Sequence, residues 1–266
     1  MSARSFRLLA ALGLLLCVVG SWAQSKSATA PQSIATLTRH AASGNATAQL
    51  NLGGAYLVGD GVTQDYAQAA VWFRKAAERG LPDAQYYLGG LYREGHGLPQ
   101  DSAQAAVWFR KSAEQGNAFA QSDLGWLYSK GQGVQQDYAQ STAWYRKAAE
   151  QGYAPAQLAL GLAYAKNQGV PQSNLQAANW YRKAAEQGNT GAQYNLAMFY
   201  SVGVGVPQDY GEAYFWASLA AATADGSDGE NFRSFRDTIA AYLTKTDLLK
   251  AQERARKWFE DHPAKP

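Results

Sequence analysis

Metal or acid–base chemistry would show first in the histidines, and there are three, His40, His96 and His262, in three distant parts of the chain. No two have the helical or loop spacing of metal ligands, so no metal and no other cofactor is expected. The only cysteine, Cys17, lies in an apolar N-terminal run, which leaves neither a thiol catalyst nor a disulfide in the rest of the sequence. The acidic residues recur in phase: Asp65, Asp101, Asp137 and Asp209, then Glu78, Glu114, Glu150 and Glu186. An active site needs its general acid once, whereas a helix terminus needs its carboxylate in every copy, so these read as structural groups. Gly59-Asp60-Gly61, Gly95-His96-Gly97, Gly131-Gln132-Gly133 and Gly203-Val204-Gly205 resemble phosphate-cradling loops, yet no strand precedes them and the dinucleotide spacing is missing. They read instead as tight turns with positive φ, Asn167 taking the first position in one copy. No Gly-x-Ser-x-Gly elbow, Walker loop or zincin motif occurs, and the chain is expected not to be an enzyme.

The elements that carry these residues repeat. Gly44, Gly80, Gly116, Gly152 and Gly188 stand 36 residues apart, and so do Gln49 to Gln193, Tyr56 to Tyr200 and Trp72 to Trp216 in their five copies. Within a copy, Ala69, Trp72, Phe73, Ala76 and Ala77 share one helical face. That second helix opens with an acceptor followed three residues on by Gln or Glu (Asp65/Gln68, Asp101/Gln104, Asp137/Gln140, Ser173/Gln176, Asp209/Glu212), the pattern of a reciprocal capping box. It closes on the periodic Gly, with Lys75 and its equivalents favourable to the helix dipole. The first helix, about Ala46 to Val58, buries Ala48, Leu52 and Tyr56. Gly53, Gly89, Gly125 and Gly161 recur in its middle at about 1 kcal/mol each relative to Ala. Close approach of the paired helix, with its bulky Trp, is the expected reason; Ala197 in the fifth copy suggests that Ala still fits.

The runs Ala-x-Ala-Gln-x-x-Leu-Gly-x-x-Tyr, Gly-x-Gly-Val-x-x-Asp-Tyr-x-x-Ala and Trp-Phe/Tyr-Arg-Lys-Ala-Ala-Glu-x-Gly resemble the Sel-one-like repeat (SLR) family, related to tetratricopeptide repeats. The resemblance covers about 180 of the 266 residues. It implies an all-α class, an α-solenoid in which about five 36-residue helix-turn-helix repeats form a right-handed superhelix with helical caps. It also implies an adaptor for other macromolecules: secreted bacterial members look like envelope scaffolds that bind partner proteins, peptidoglycan-handling enzymes or exopolysaccharide machinery. A cysteine-rich branch is linked with β-lactam binding or hydrolysis, and the lack of cysteine beyond Cys17 separates this chain from it.

Both ends of such an array need polar covers. Residues 34–43 align with the last turns of a second helix, as an N-terminal half-repeat before repeats at 44–223. Residues 224–266 are expected to supply capping helices after a break at Asp225-Gly226-Ser227-Asp228-Gly229. The last, about Asp247 to Glu260, places Leu248, Ala251, Ala255, Trp258 and Phe259 on one stripe and Lys250, Arg254, Arg256 and Lys257 elsewhere. Such a basic amphipathic helix can also lie on a membrane surface.

Arg4 and Arg7, the apolar run from Leu8 to Val19 and Ser21-Trp22-Ala23 read as a signal peptide, residues 1–23, cut after Ala23. Leu16 before Cys17 argues against lipidation, and a 12-residue run is short of the roughly 20 a spanning helix needs. Residues 24–33 then form a flexible linker, and the expected location is periplasmic or secreted, without stable membrane insertion once the leader is gone. With 47% hydrophobic and 17% charged residues the chain can bury a core. Its formal charge of +3 includes the two leader arginines, too little to point to nucleic acid.

Partner recognition in an array is sought where copies differ on an exposed face. Positions 47, 51, 54 and 58 of the first helix and their equivalents lie opposite its buried stripe. There Tyr87, Asp123, Trp126, Lys130, Asn195 and Met198 are expected to form a groove for a protein or peptide segment, with Trp126 its hot spot; packing between repeats is the competing role. The function expected is a non-catalytic envelope scaffold. An envelope enzyme or binder acting on peptidoglycan or β-lactams, or a direct glycan binder, is the alternative.

Overall fold

The computed structural model describes residues 33–263; the expected signal peptide and all of the expected linker but Ser33 lie outside them. Among the described residues there are thirteen helices and no strand, and within each unit the helices of successive repeats pack against their neighbours in the chain. Two compact units divide the chain, Met1–Gln136 and Asp137–Pro266.

The first unit holds α1 (Ile34–Ala42), α2 (Ala46–Val58), α3 (Tyr66–Glu78), α4 (Pro82–Glu94), α5 (Ser102–Glu114) and α6 (Ala118–Lys130). Asp65 starts α3 by accepting from the Ala67 and Gln68 amides at 2.9 and 3.0 Å, and Asp101 starts α5 in the same way. The reciprocal half of the expected capping box is not how these helices are closed. The Asp65 and Asp101 amides donate instead to the Tyr56 and Tyr92 carbonyls, both at 2.9 Å, so the preceding helix does what Gln68 and Gln104 were expected to do. Each such bond pins a first helix to its second helix across the turn.

The expectation that the mid-helix glycines make room for Trp also needs correcting. A Cβ on Gly53 or Gly89 would lie 2.6 Å from Phe73 or 2.7 Å from Phe109, the residue after each Trp. These phenylalanines are fully buried, while Trp72 and Trp108 are only half-buried. The second glycine of the turn has a separate duty. Gly97 (φ +69°) would place a Cβ 2.3 Å from the Tyr66 carbonyl carbon, at the start of α3 in the preceding repeat.

The second unit holds α7 (Tyr138–Glu150), α8 (Ala154–Ala165), α9 (Asn174–Glu186), α10 (Thr190–Val202), α11 (Tyr210–Thr223), α12 (Gly226–Ala240) and α13 (Lys245–Asp261). Here Tyr181 fills the space beside Gly161, and Asn167 holds the left-handed turn position at φ +55° as expected. The fifth copy solves the same packing problem from both sides: Ala197 replaces the glycine and Ala217 the ring, both fully buried. Ala fits at 197 because its opposite number shrank.

Burial pushes the Tyr181 hydroxyl up to about 12. The unfolded phenol ionises near 10, so native stability is complete below that value and falls as pH rises toward the folded one. Tyr181→Phe, which installs the ring used at 73 and 109, is therefore expected to flatten the alkaline loss by about 1–2 kcal/mol, read by urea unfolding at pH 9 and 11.

The C-terminal cap departs from expectation twice. The Asp225 to Gly229 stretch does not break the chain into a loop; α12 begins at Gly226, and Gly229 is buried where a Cβ would meet the Ala224 carbonyl oxygen at 2.4 Å. The glycines let α12 start directly against the end of α11. On α13 only Ala251 and Ala255 are buried. Arg254, expected away from the packed stripe, docks on it: its guanidinium grips the Glu212 carboxylate and lies 3.9 Å from the Phe215 ring centre.

Candidate functional site

Three side-chain ladders hold the repeats in register and define what is left over for binding. A buried glutamine in each first helix donates to a carbonyl at the end of the preceding second helix, as Gln85 to Ala77 at 3.2 Å and Gln193 to Ala185 at 3.2 Å, satisfying an acceptor that the helix terminus leaves open. Arg74, Arg110, Arg146 and Arg182 each donate to the hydroxyl of a tyrosine eighteen residues on, Tyr92, Tyr128, Tyr164 and Tyr200. Lys75, Lys111, Lys147 and Lys183 sit 4.0–4.2 Å above the ring of the Trp three residues before, a cation–π contact. The Trp-x-Arg-Lys run thus has a structural part in each of these four copies.

Of the expected groove residues, Tyr87 is not on the surface. It is 9% exposed, with its ring stacked 5.1 Å from Phe73. A first helix is packed against the second helix before it as well as the one after it, so its buried arc reaches position 87. Asn195 and Met198 belong to the second unit. The Asn195 amide is turned along its own helix, donating to the Gly191 carbonyl at 2.7 Å, while Met198 is 42% exposed beside an exposed Val202 one turn on. Asp123, Trp126 and Lys130 do come together, at steps of three and four along α6. Trp126 is half-buried and Lys130 exposed.

Asp123 brings in a residue that sequence reasoning missed. Its Oδ1 is 3.1 Å from Nη1 of Arg93 on α4, and Glu94 Oε1 is 2.9 Å from Arg93 Nε. Arg93 is 8% exposed, with its guanidinium 5.4 Å from the Phe109 ring centre. Burial pulls the Arg93 pKa down, but Asp123 and then Glu94 outweigh it and hold it above the usual value, so the group stays charged. Two atoms of the pair, Arg93 Nη2 and Asp123 Oδ2, are buried without a hydrogen-bond partner among the described residues. Both atoms are sealed from solvent, so the pair sets the charge and packing beneath the face that carries Trp126. The signal for Arg93 lay in the copies: its equivalents are Leu57, Ser129, Ala165 and Ser201, so a charge stands where the repeat carries small or apolar side chains.

Among the described residues no group of three His, Cys, Asp or Glu side chains lies close enough to hold a metal, and no helix is long and apolar enough to cross a membrane.

The sequence matches the Sel1 repeat family over residues 46–81, 82–117, 118–153, 154–189 and 190–222. The chain is similar to c5321, a protective antigen present in uropathogenic Escherichia coli strains and displaying an SLR fold, at 33% identity and a TM-score of 0.74. That similarity covers 97% of this chain but 56% of the antigen, so this chain spans little more than half its length. It is also similar to a Sel1 repeat protein from Oxalobacter formigenes, at 32% identity and a TM-score of 0.69, over 85% of this chain and 90% of that one. No curated protein matches the chain.

Proposed function

This chain belongs to the Sel1 repeat family, whose members are in general protein-interaction scaffolds, and from that premise we propose that it is a non-catalytic adaptor of the bacterial cell envelope. A protein or peptide segment docks on the α4–α6 face of the first unit, across Asp123, Trp126 and Lys130. The observation that carries this reading is Trp126, a large aromatic left half-buried on α6 between exposed Lys130 and the Arg93–Asp123 pair. Trp is enriched among the anchors of interface hot spots. The leader-like first 23 residues support a periplasmic or secreted location, and so does similarity to a protein described as a protective antigen. Machinery that handles peptidoglycan or exopolysaccharide supplies the partner.

Trp126→Ala is expected to weaken partner capture by at least about tenfold while leaving the melting temperature nearly unchanged, because the side chain is half-buried rather than core. A crosslinking pulldown from envelope extract, run with both proteins, reads this directly: partners captured by the parent and lost from the variant establish the adaptor. Capture unaffected by the substitution overturns the site. Turnover of muropeptides or of a chromogenic β-lactam, abolished by the same substitution, overturns the non-catalytic assignment.

A further inference from the structure

The end of α1, the start of α2 and the last turn of α3 border an open pocket of about 380 Å³, within the size range of small-ligand sites. Its polar walls are Gln49, Lys75, Glu78 and Arg79. The first copy departs here from the next three, as does the fifth, where Thr223 takes the position and Gln193 Oε1 is also buried without a partner among the described residues. Position 79 is glutamine in the next three, and Gln115 and Gln187 donate Nε2 to the buried Gln85 and Gln157 Oε1 atoms at 2.8 and 2.7 Å. Arg79 instead lies over Gly44, where a Cβ would come within 2.9 Å of its Nη2. Gln49, 4% exposed, still donates Nε2 to the Ala41 carbonyl at 3.0 Å, which fixes the sense of its amide. Its Oε1 is left buried and without a partner among the described residues.

One repeat thus combines an exposed guanidinium with no ion pair among the described residues, an ammonium held 4.1 Å above the Trp72 ring, and a buried acceptor that lacks its donor. Glu78 and the C-terminal ends of α1 and α3 add negative potential, so a ligand here must bring a donor beside the group that meets the two cations. The complement is a carboxylate with an N–H donor next to it.

We infer that this pocket binds the free carboxyl end of a peptide, the carboxylate on Arg79 and Lys75 and the last amide N–H turned toward Gln49. The site shares no residue with the α4–α6 face. Two sources carry this chemistry, a protein C-terminus and a peptidoglycan stem peptide, whose end residues are of D configuration.

Calorimetric titration of the protein with N-acetyl-L-Ala-L-Ala, N-acetyl-D-Ala-D-Ala, their C-terminal amides and inorganic phosphate tests it. At least one free acid binds, and both amidation and Arg79→Gln weaken binding about tenfold or more, the charge-assisted fork being lost. Arg79→Gln folds, since it installs the residue of the next three copies, and a melting temperature no lower than the parent's separates lost binding from lost structure. Trp126→Ala binds as the parent does, so failure here is distinguishable from failure of the adaptor reading. Preference for the D acid identifies stem peptides and preference for the L acid protein C-termini. Binding of neither acid, equal binding of the amides or of phosphate, or binding unchanged in Arg79→Gln overturns the inference.

Discussion

Asp123→Ala is expected to destabilise the first unit by about 3 kcal/mol or more, because it leaves a buried guanidinium uncompensated. Glu94 does not rescue the charge: it addresses Nε, and both terminal nitrogens of Arg93 would then lack an acceptor. The double change Arg93→Met with Asp123→Leu is expected to fold as well as the parent or better, since apolar side chains of similar size carry no desolvation cost. Urea unfolding of the two single variants and the double variant, closed as a cycle, measures the coupling. The same double variant is expected to lose the partner, which assigns the pair to recognition rather than stability. A cost below about 1 kcal/mol for Asp123→Ala would show that water reaches the pair and that the face is not poised.

Gly97→Ala is expected to cost about 3 kcal/mol or more by urea unfolding, from two independent sources. An L side chain at φ +69° is strained by about 1 kcal/mol. Its Cβ would also stand 2.3 Å from a backbone carbon of Tyr66, and backbone in a helix cannot step aside as a rotamer can. Gly90 provides the opposite sign within the same repeat. It lies inside α4 with nothing within 4 Å of an added Cβ, so Gly90→Ala is expected to stabilise by about 0.5–1 kcal/mol. If the two substitutions shift unfolding equally, contact between successive repeats is looser than the structure describes.

Five in-phase copies made the helix boundaries and turns readable, because each N-cap and each left-handed position recurs with its own reason. What the period could not show was which neighbour a residue meets. Trp72 and Phe73 are adjacent in sequence and on one face by pattern, yet Phe73 enters the gap over Gly53 and Trp72 stays outside to carry Lys75. Tyr87 was misplaced because one helix packs against two others, which widens its buried arc beyond a single stripe. The N-cap amides were assigned to Gln side chains because a local motif sees only its own helix, whereas the acceptor is the tyrosine carbonyl nine residues back. Arg93 and Arg79 were visible as departures from the copies but carried no local motif. Only the packing shows that one is buried against Asp123 and that the other faces a glutamine without a donor.

The bonds that join neighbouring helices close over short stretches of chain: eight residues for Gln85 to Ala77, nine for Asp101 to Tyr92, eighteen for Arg74 to Tyr92. Contact order is therefore low, and the entropy lost on closing each loop is small. Such a chain is built for rapid, stepwise folding during synthesis, every hairpin finding its partners soon after it leaves the ribosome. The clasp between Glu212 and Arg254 spans 42 residues, a longer closure than any of these, so α13 docks after the hairpins of the second unit that it covers.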